Sequence, residues 1–194
     1  MTNDRWHIEK FVNERENYYF KIFNQNDIKA FVKEANSFIT LHNEFNTPEV
    51  KLIKTGQALN KEKWFKNRCA RISLGIAVEL LIKATYLKQG YLINKTKTNG
   101  KQKLCKIGTV LTSNLMKNTH DFKFLITHLD MVLPTNEYDF DKDIRQGLEI
   151  ARIWRNVNAH VVIGKHIKYG GDYYSITKAL GLINNLVLHD VKLD

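Results

Sequence analysis

Breakers are scarce in this chain, with 2 prolines and 10 glycines in 194 residues. A sandwich or barrel of short strands needs turn residues about every 8–12 positions, so that class is excluded. The two cysteines, Cys69 and Cys105, are too few for a disulfide framework or a four-ligand zinc site. A reducing compartment, hence the cytoplasm, is the expectation. No apolar run approaches the ~18 residues of a membrane span. The longest, Leu74 to Ile82, already carries Glu79, and the opening MTNDRWHIEK lacks a secretory apolar stretch. A protein with no membrane association is therefore expected. GxGxxG, Walker A, HExxH, CxxC and GxSxG are all missing, which removes the most legible routes to dehydrogenases, NTPases, zinc proteases and serine hydrolases.

What is present suits a packed helical protein. Apolar residues make up 43% of the chain and aromatics 11%. A chain of this size hides roughly 70% of its unfolded surface on folding. One domain is expected over residues 1–194, with 1–60 as an N-terminal helical extension and 61–190 as the core. Lys and Arg number 30 against 20 acids, for a net charge of +10. That surplus favours polyanionic partners, nucleic acid first. Because 23 of the 30 are lysines and asparagines number 19, an AT-rich coding bias explains part of it. The charge permits nucleic-acid binding without demonstrating it.

Periodicity predicts helices in series. Ile8, Phe11, Val12, Tyr18, Tyr19, Ile22 and Phe23 suggest a first helix over residues 4–23. Asn26 or Asp27 is a credible cap for a second, striped by Ile28, Phe31, Val32, Ala35, Phe38 and Ile39 and ended near Pro48. Between Lys61 and Gln89, Phe65, Cys69, Ile72, Ile76, Leu80, Ala84 and Leu87 mark one face of a long helix, expected to point at the core, with Gly90 as its stop. Short helices are expected over residues 110–117 and 121–131. A longer one, with Ile144, Leu148 and Ala151 on its face, ends near His160. The region of Gly164, Gly170 and Gly171 reads as a loop with room for a short strand pair, and a final helix as starting near Ser175. The segment Lys95 to Lys106 holds Lys95, Lys97, Lys101, Lys103 and Lys106 with no acid. Its central Asn99-Gly100 suits a hairpin turn. It is either a solvated connector or a phosphate-tracking, RNA-binding loop.

The pattern that carries chemistry is Arg155-Asn156-Val157-Asn158-Ala159-His160. With 7 Arg and 7 His, an Arg-x4-His spacing arises by chance about 0.25 times in a chain of this composition, and with Asn after the Arg about 0.025 times. Here the sequence resembles the HEPN superfamily, small all-α domains marked by R-x4-6-H, often with Asn after the Arg. The run Ala77 to Ala84 is similar to that family's amphipathic helix, and His120 to Leu125 to its short intervening helix. The resemblance spans about residues 61–189. It implies an antiparallel helical bundle that dimerises and, in many members, a metal-independent endoribonuclease needing no cofactor. Such members act as toxins, with an antitoxin or regulatory protein as partner, or as phage-defence effectors. Other members are catalytically silent modules that bind nucleotide, RNA or protein. A Tyr two residues after the motif histidine marks one branch of these toxins as open to modification. Val162 stands there in this chain, which argues against that control.

The chemistry follows without the family. Metal-free RNA cleavage needs a base for the 2′-OH, an acid for the leaving 5′ oxygen, and a cation on the phosphorane. Histidine serves as base or acid, and arginine offers a fixed fork of donors to phosphate oxygens. Five residues along a helix mean about 7.5 Å of rise and 140° of rotation. One phosphate then reaches both Arg155 and His160 only over the helix end or between two subunits, so a homodimer is expected.

Arg155 extends an apolar stripe and needs an anion there, either a carboxylate or a substrate phosphate. Glu79 has two readings: orienting Arg155 or His160, or pairing with Lys83 at i+4. Asn156 and Asn158 either donate to phosphate or cap the helix end. His120 and His128 lie near the short helix without metal-ligand spacing, and His7, His42, His166 and His189 stand alone. The aromatics at Tyr18, Tyr19, Phe20, Phe23, Phe31 and Phe38 suit core or dimer packing better than base stacking.

Overall fold

The computed structural model describes residues 22–46, 61–96, 103–133, 142–159, 170–189 and 191. The helix expected over residues 4–23 lies almost wholly outside them. A 3-10 turn, Gln25–Asp27, leads into α1, Ile28–Phe45. Asp27, one of the two expected candidates, holds the N-cap position of α1 without a side-chain cap bond, and Asn24 caps the 3-10 turn: its Oδ1 accepts from the Asn26 N–H at 2.8 Å, and Asp27 Oδ2 accepts from the Asn24 N–H at 2.9 Å. That reciprocal box satisfies two donors that a helix start otherwise leaves open.

The long helix α2, Lys61–Lys88, runs through the middle of the molecule. It packs along α1 on one side and against α5, Lys142–Ala159, and α6, Gly170–Leu188, on others. Gly90, at φ 77°, ends it. The Tyr91 N–H reaches back to the Tyr86 carbonyl at 2.8 Å and the Gly90 N–H to that of Leu87 at 3.1 Å. This left-handed ending needs a residue without Cβ strain.

Being flanked on several sides changes which face of α2 is core. The expected stripe is the less buried one in its first half: Phe65 is exposed, and Cys69, Ile72, Ile76 and Leu80 are half-buried. The core takes Ala70, Leu74, Ala77, Val78, Leu81, Ile82 and Tyr86 instead, together with Ala84 and Leu87. A helix wrapped by neighbours loses its single-faced pattern, which is why one stripe misled. Val32 and Ala35 of α1 enter the same core, so the 28–45 stretch of the expected N-terminal extension packs with the rest.

After α2 the chain forms a small antiparallel sheet, β1 Asn94–Thr96 against β2 Leu115–Thr119. Residues 110–117 were expected to be helical, but they hold a 3-10 turn, Thr112–Asn114, and then β2. The strand wins because the buried edge of β1 offers it backbone partners that a two-turn helix would not have. Flanks of the lysine-rich segment also pair, with Leu92 N–H donating to Cys105 O and Ile107 N–H to Gly90 O, both at 2.8 Å. Buried Asn94 joins three parts of the chain. Its Oδ1 accepts from the Phe23 N–H at 3.1 Å and its Nδ2 donates to Met116 O at 3.3 Å.

The short helices α3, Phe122–Thr127, and α4, Leu129–Val132, follow, with Asp121 capping through the Phe124 N–H at 2.8 Å. α5 and α6 run antiparallel: Lys178 pairs with Asp143 at 3.3 Å, and Ser175 lies over Gly147. α6 begins at Gly170, so Gly170 and Gly171 are helical rather than loop. Among the described residues the architecture is mainly α with a small antiparallel strand pair.

Candidate functional site: an arginine held by a buried carboxylate

The site forms where α5 crosses α2. Gly75 allows the crossing, because a Cβ there would sit 2.6 Å from the Ala151 carbonyl oxygen and 2.9 Å from Arg155 Cβ. With no side chain between the helices, the Arg155 backbone lies directly on α2. One turn further along α2, Glu79 meets the Arg155 side chain.

Glu79 does both things the sequence allowed. Its Oε2 lies 2.6 Å from Arg155 Nε and its Oε1 2.9 Å from Lys83 Nζ. The carboxylate is 7% exposed, whereas the Arg155 side chain is 40% exposed. One buried anion thus faces two cations, and the cluster carries a net charge of +1. A buried carboxylate is tolerable only when paired and hydrogen-bonded, and here both oxygens are engaged.

Arg155 Nη1 donates to Asn156 Oδ1 at 3.0 Å. Two of the five guanidinium donors are therefore used among the described residues, and the rest of the fork stands at the half-exposed rim. Asn156, with its oxygen turned to the arginine, keeps its amide donors for another partner. On the other side of Arg155, Trp154 is buried and the Arg71 guanidinium lies 5.3 Å from its ring centroid.

Of the residues singled out in the sequence, Arg155, Asn156 and Glu79 come together. Asn158 belongs to α5, but its side chain lies outside the described residues, and so does His160 altogether. Among the described residues, no ion pair or hydrogen bond joins Lys95, Lys103 or Lys106 of the basic segment to Arg155, Asn156 or Glu79. Lys95 is half-buried on β1, while Lys103 and Lys106 are exposed, Lys106 Nζ lying 5.9 Å over the Tyr91 ring. Lys97 and Lys101 are outside the described residues.

Sequence reasoning missed Gly75. A lone glycine inside an apolar helical run was the available signal, since it is disfavoured there unless something must come close.

Among the described residues, His42, His120 and His128 are packed into the fold. His42 is buried, its Nδ1–H donating to Ala70 O at 2.7 Å, and it stacks on Tyr173. His120, Phe124 and His128 form a continuous ring stack with both centroid spacings at 4.1 Å. Burial, with Lys95 nearby, pulls the His120 imidazole down to about 4. Among the described residues, no group of three His, Cys, Asp or Glu side chains could hold a metal, and no helix is long and apolar enough to cross a membrane.

Family models, curated proteins and solved structures give no match to this chain.

Proposed function

We propose that the protein is a metal-independent endoribonuclease of HEPN type, acting as a toxin or phage-defence effector in the cytoplasm. One observation carries this reading. Arg155, in the R-N-x-x-x-H pattern, is anchored by its Nε to a buried carboxylate while the other edge of its fork stays at the surface. That is the arrangement a phosphate-binding arginine needs: held in place beforehand, with donors left for the charge that develops on the phosphorane. The +1 surplus of the Glu79 cluster suits an anion.

In this mechanism Arg155 clamps the scissile phosphate and Asn156 adds an amide donor. His160 transfers the proton to or from the reacting oxygens. A twofold homodimer supplies the second His160, one acting as base and the other as acid. An antitoxin or other regulator would act by covering the cleft. Light scattering at tens of micromolar should show a dimer, and a monomer would count against the two-motif cleft.

The second reading, a silent HEPN module binding RNA, nucleotide or a protein, draws support from the same ion pair, because a carboxylate already satisfies Arg155 in part. Incubating purified protein with total RNA in EDTA separates them. Cleavage supports the nuclease, and intact RNA supports the binding module.

A further inference from the structure

The site has an approach that the motif does not include. Trp64, Arg68, Arg71, Gly75 and Glu79 follow one another at spacings of 4, 3, 4 and 4 residues along α2. At 100° per residue they fall within about 80° of one another, on a single face about 22 Å long. One end of that face is the Glu79–Arg155 pair. At the other end Trp64 is 44% exposed, with the Arg68 guanidinium 4.5 Å over its ring. Arg71 lies between them, over the Trp154 ring beside Arg155.

The charge of this stretch opposes its own helix. Residues Lys61 to Arg71 carry five cations and one acid, Glu62, which pairs with Lys66 at 2.7 Å. Lys61 and Lys63 stand in the first turn, where the macrodipole disfavours cations. A strand of anions lying along them removes that penalty. An exposed indole beside stacked guanidinium groups is also what a base needs to stack upon.

We infer that the Trp64–Arg71 part of this face, up to where α5 covers Gly75, is a track for single-stranded RNA leading to the exposed edge of Arg155. Trp64 stacks one base, and Arg68 and Arg71 follow the phosphates toward Arg155. The inference rests on RNA being the substrate, but binding is read apart from cleavage.

The test uses the full chain and a fluorescein-labelled 12-nucleotide 2′-O-methyl RNA, which lacks the nucleophile and stays intact. Anisotropy across a salt series compares wild type with Trp64→Ala, Arg68→Gln and, as a charge-matched control on α1, Lys33→Gln. Losing one stacked base should weaken binding at least about fivefold in Trp64→Ala. Arg68→Gln should lower the log–log salt slope by about 0.7, and Lys33→Gln should leave affinity near wild type. Thermal melts verify that each variant is folded.

Wild-type affinity and slope in Trp64→Ala and Arg68→Gln overturn the track. An equal loss in Lys33→Gln does so too, because binding is then diffuse. If Trp64→Ala instead converts a dimer to a monomer at unchanged affinity per chain, the face belongs to a second copy and the track falls. Binding through this face by a protein that leaves RNA intact in EDTA supports the track while sinking the nuclease reading.

Discussion

Glu79 and Arg155 sit 2.6 Å apart across the α2–α5 crossing, the carboxylate buried and the guanidinium at the surface. That asymmetry makes the pair more than a surface ion bridge. A partner that cannot move holds one that can be reached.

Removing the buried member should cost stability and function together. Glu79→Ala leaves Lys83 and Arg155 facing each other without an anion, and breaking a buried pair typically costs about 3–5 kcal/mol. The exposure of Arg155 puts the expectation at about 3, read as a shift of the urea midpoint at unchanged slope. Glu79→Gln, which keeps the shape and one hydrogen bond, should lose less stability yet still slow RNA cleavage by about tenfold, within the range a misplaced group incurs. Cleavage at the wild-type rate in Glu79→Gln would show that Arg155 needs no anchor.

Three glycines give two opposite outcomes for one substitution. Gly75→Ala forces a Cβ to 2.6 Å from the Ala151 oxygen, and Gly147→Ala forces one to 2.0 Å from the Ser175 oxygen. Both contacts are with backbone, so the helices must separate, at about 1–3 kcal/mol or more. Gly181→Ala meets nothing within 4 Å on α6 and should stabilise by about 0.5–1 kcal/mol. In a chain of this size each kcal/mol moves the melting temperature by about 2–4 °C. Scanning calorimetry of the three variants checks both the order and the sign.

Acid should find His120. Its imidazole titrates near 4 in the folded protein because burial disfavours the cation; Lys95 and His128 push the same way and Asp121 opposes them. The folded value lies below the unfolded one of about 6.5, so the contribution is intact above pH 6.5 and is lost as pH falls from there toward 4. The loss amounts to about 3 kcal/mol over that window. His120→Gln should flatten the stability profile between pH 6.5 and 4. An unchanged profile would mean that the ring is charged in the fold.

The proposed catalytic pair, Arg155 and His160, makes the sharpest demand. Cleavage should survive EDTA and leave 2′,3′-cyclic phosphate ends, and 2′-deoxyribose at the scissile position should block it. His160→Ala should lose about 10²–10⁴-fold and Arg155→Ala about 10²–10³-fold. The double variant should be little worse than either, since the two act as a unit. His160→Ala should retain the wild-type melting temperature to within a few degrees, whereas Arg155→Ala, which leaves the buried Glu79 carboxylate to Lys83 alone, should melt several degrees lower while still folding. A dependence on divalent metal ends the 2′-OH mechanism.

Much of this was legible from spacing alone. The helices α1, α2 and α5 follow from apolar periodicity, and Gly90 marks the end of α2 because only a left-handed residue closes it well. The need of Arg155 for an anion was readable from its place at the edge of an apolar stripe. Glu79 was readable only as one of two alternatives, because it lies 76 residues earlier and no local rule weighs Arg155 against Lys83. The inner face of α2 stayed hidden for a related reason. Ile72, Ile76 and Leu80 look more like a core than Ala70, Ser73 and Ala77, but small residues are what a crowded helix crossing requires. β2 was misread because Leu115–Thr119 owes its extended form to a partner strand some 20 residues away.

Asn94 imposes an order on synthesis. The Phe23 N–H that it accepts from leaves the ribosome 71 residues before it does. At about 5–20 residues per second, that donor waits about 4–14 s for its partner. The Met116 carbonyl arrives 22 residues later still. The α1–α2 pair can thus come together on the nascent chain before its entry is pinned. α5, which brings Arg155, emerges only after that clasp has had time to close, so the Glu79–Arg155 pair is completed by the last third of the chain to be made.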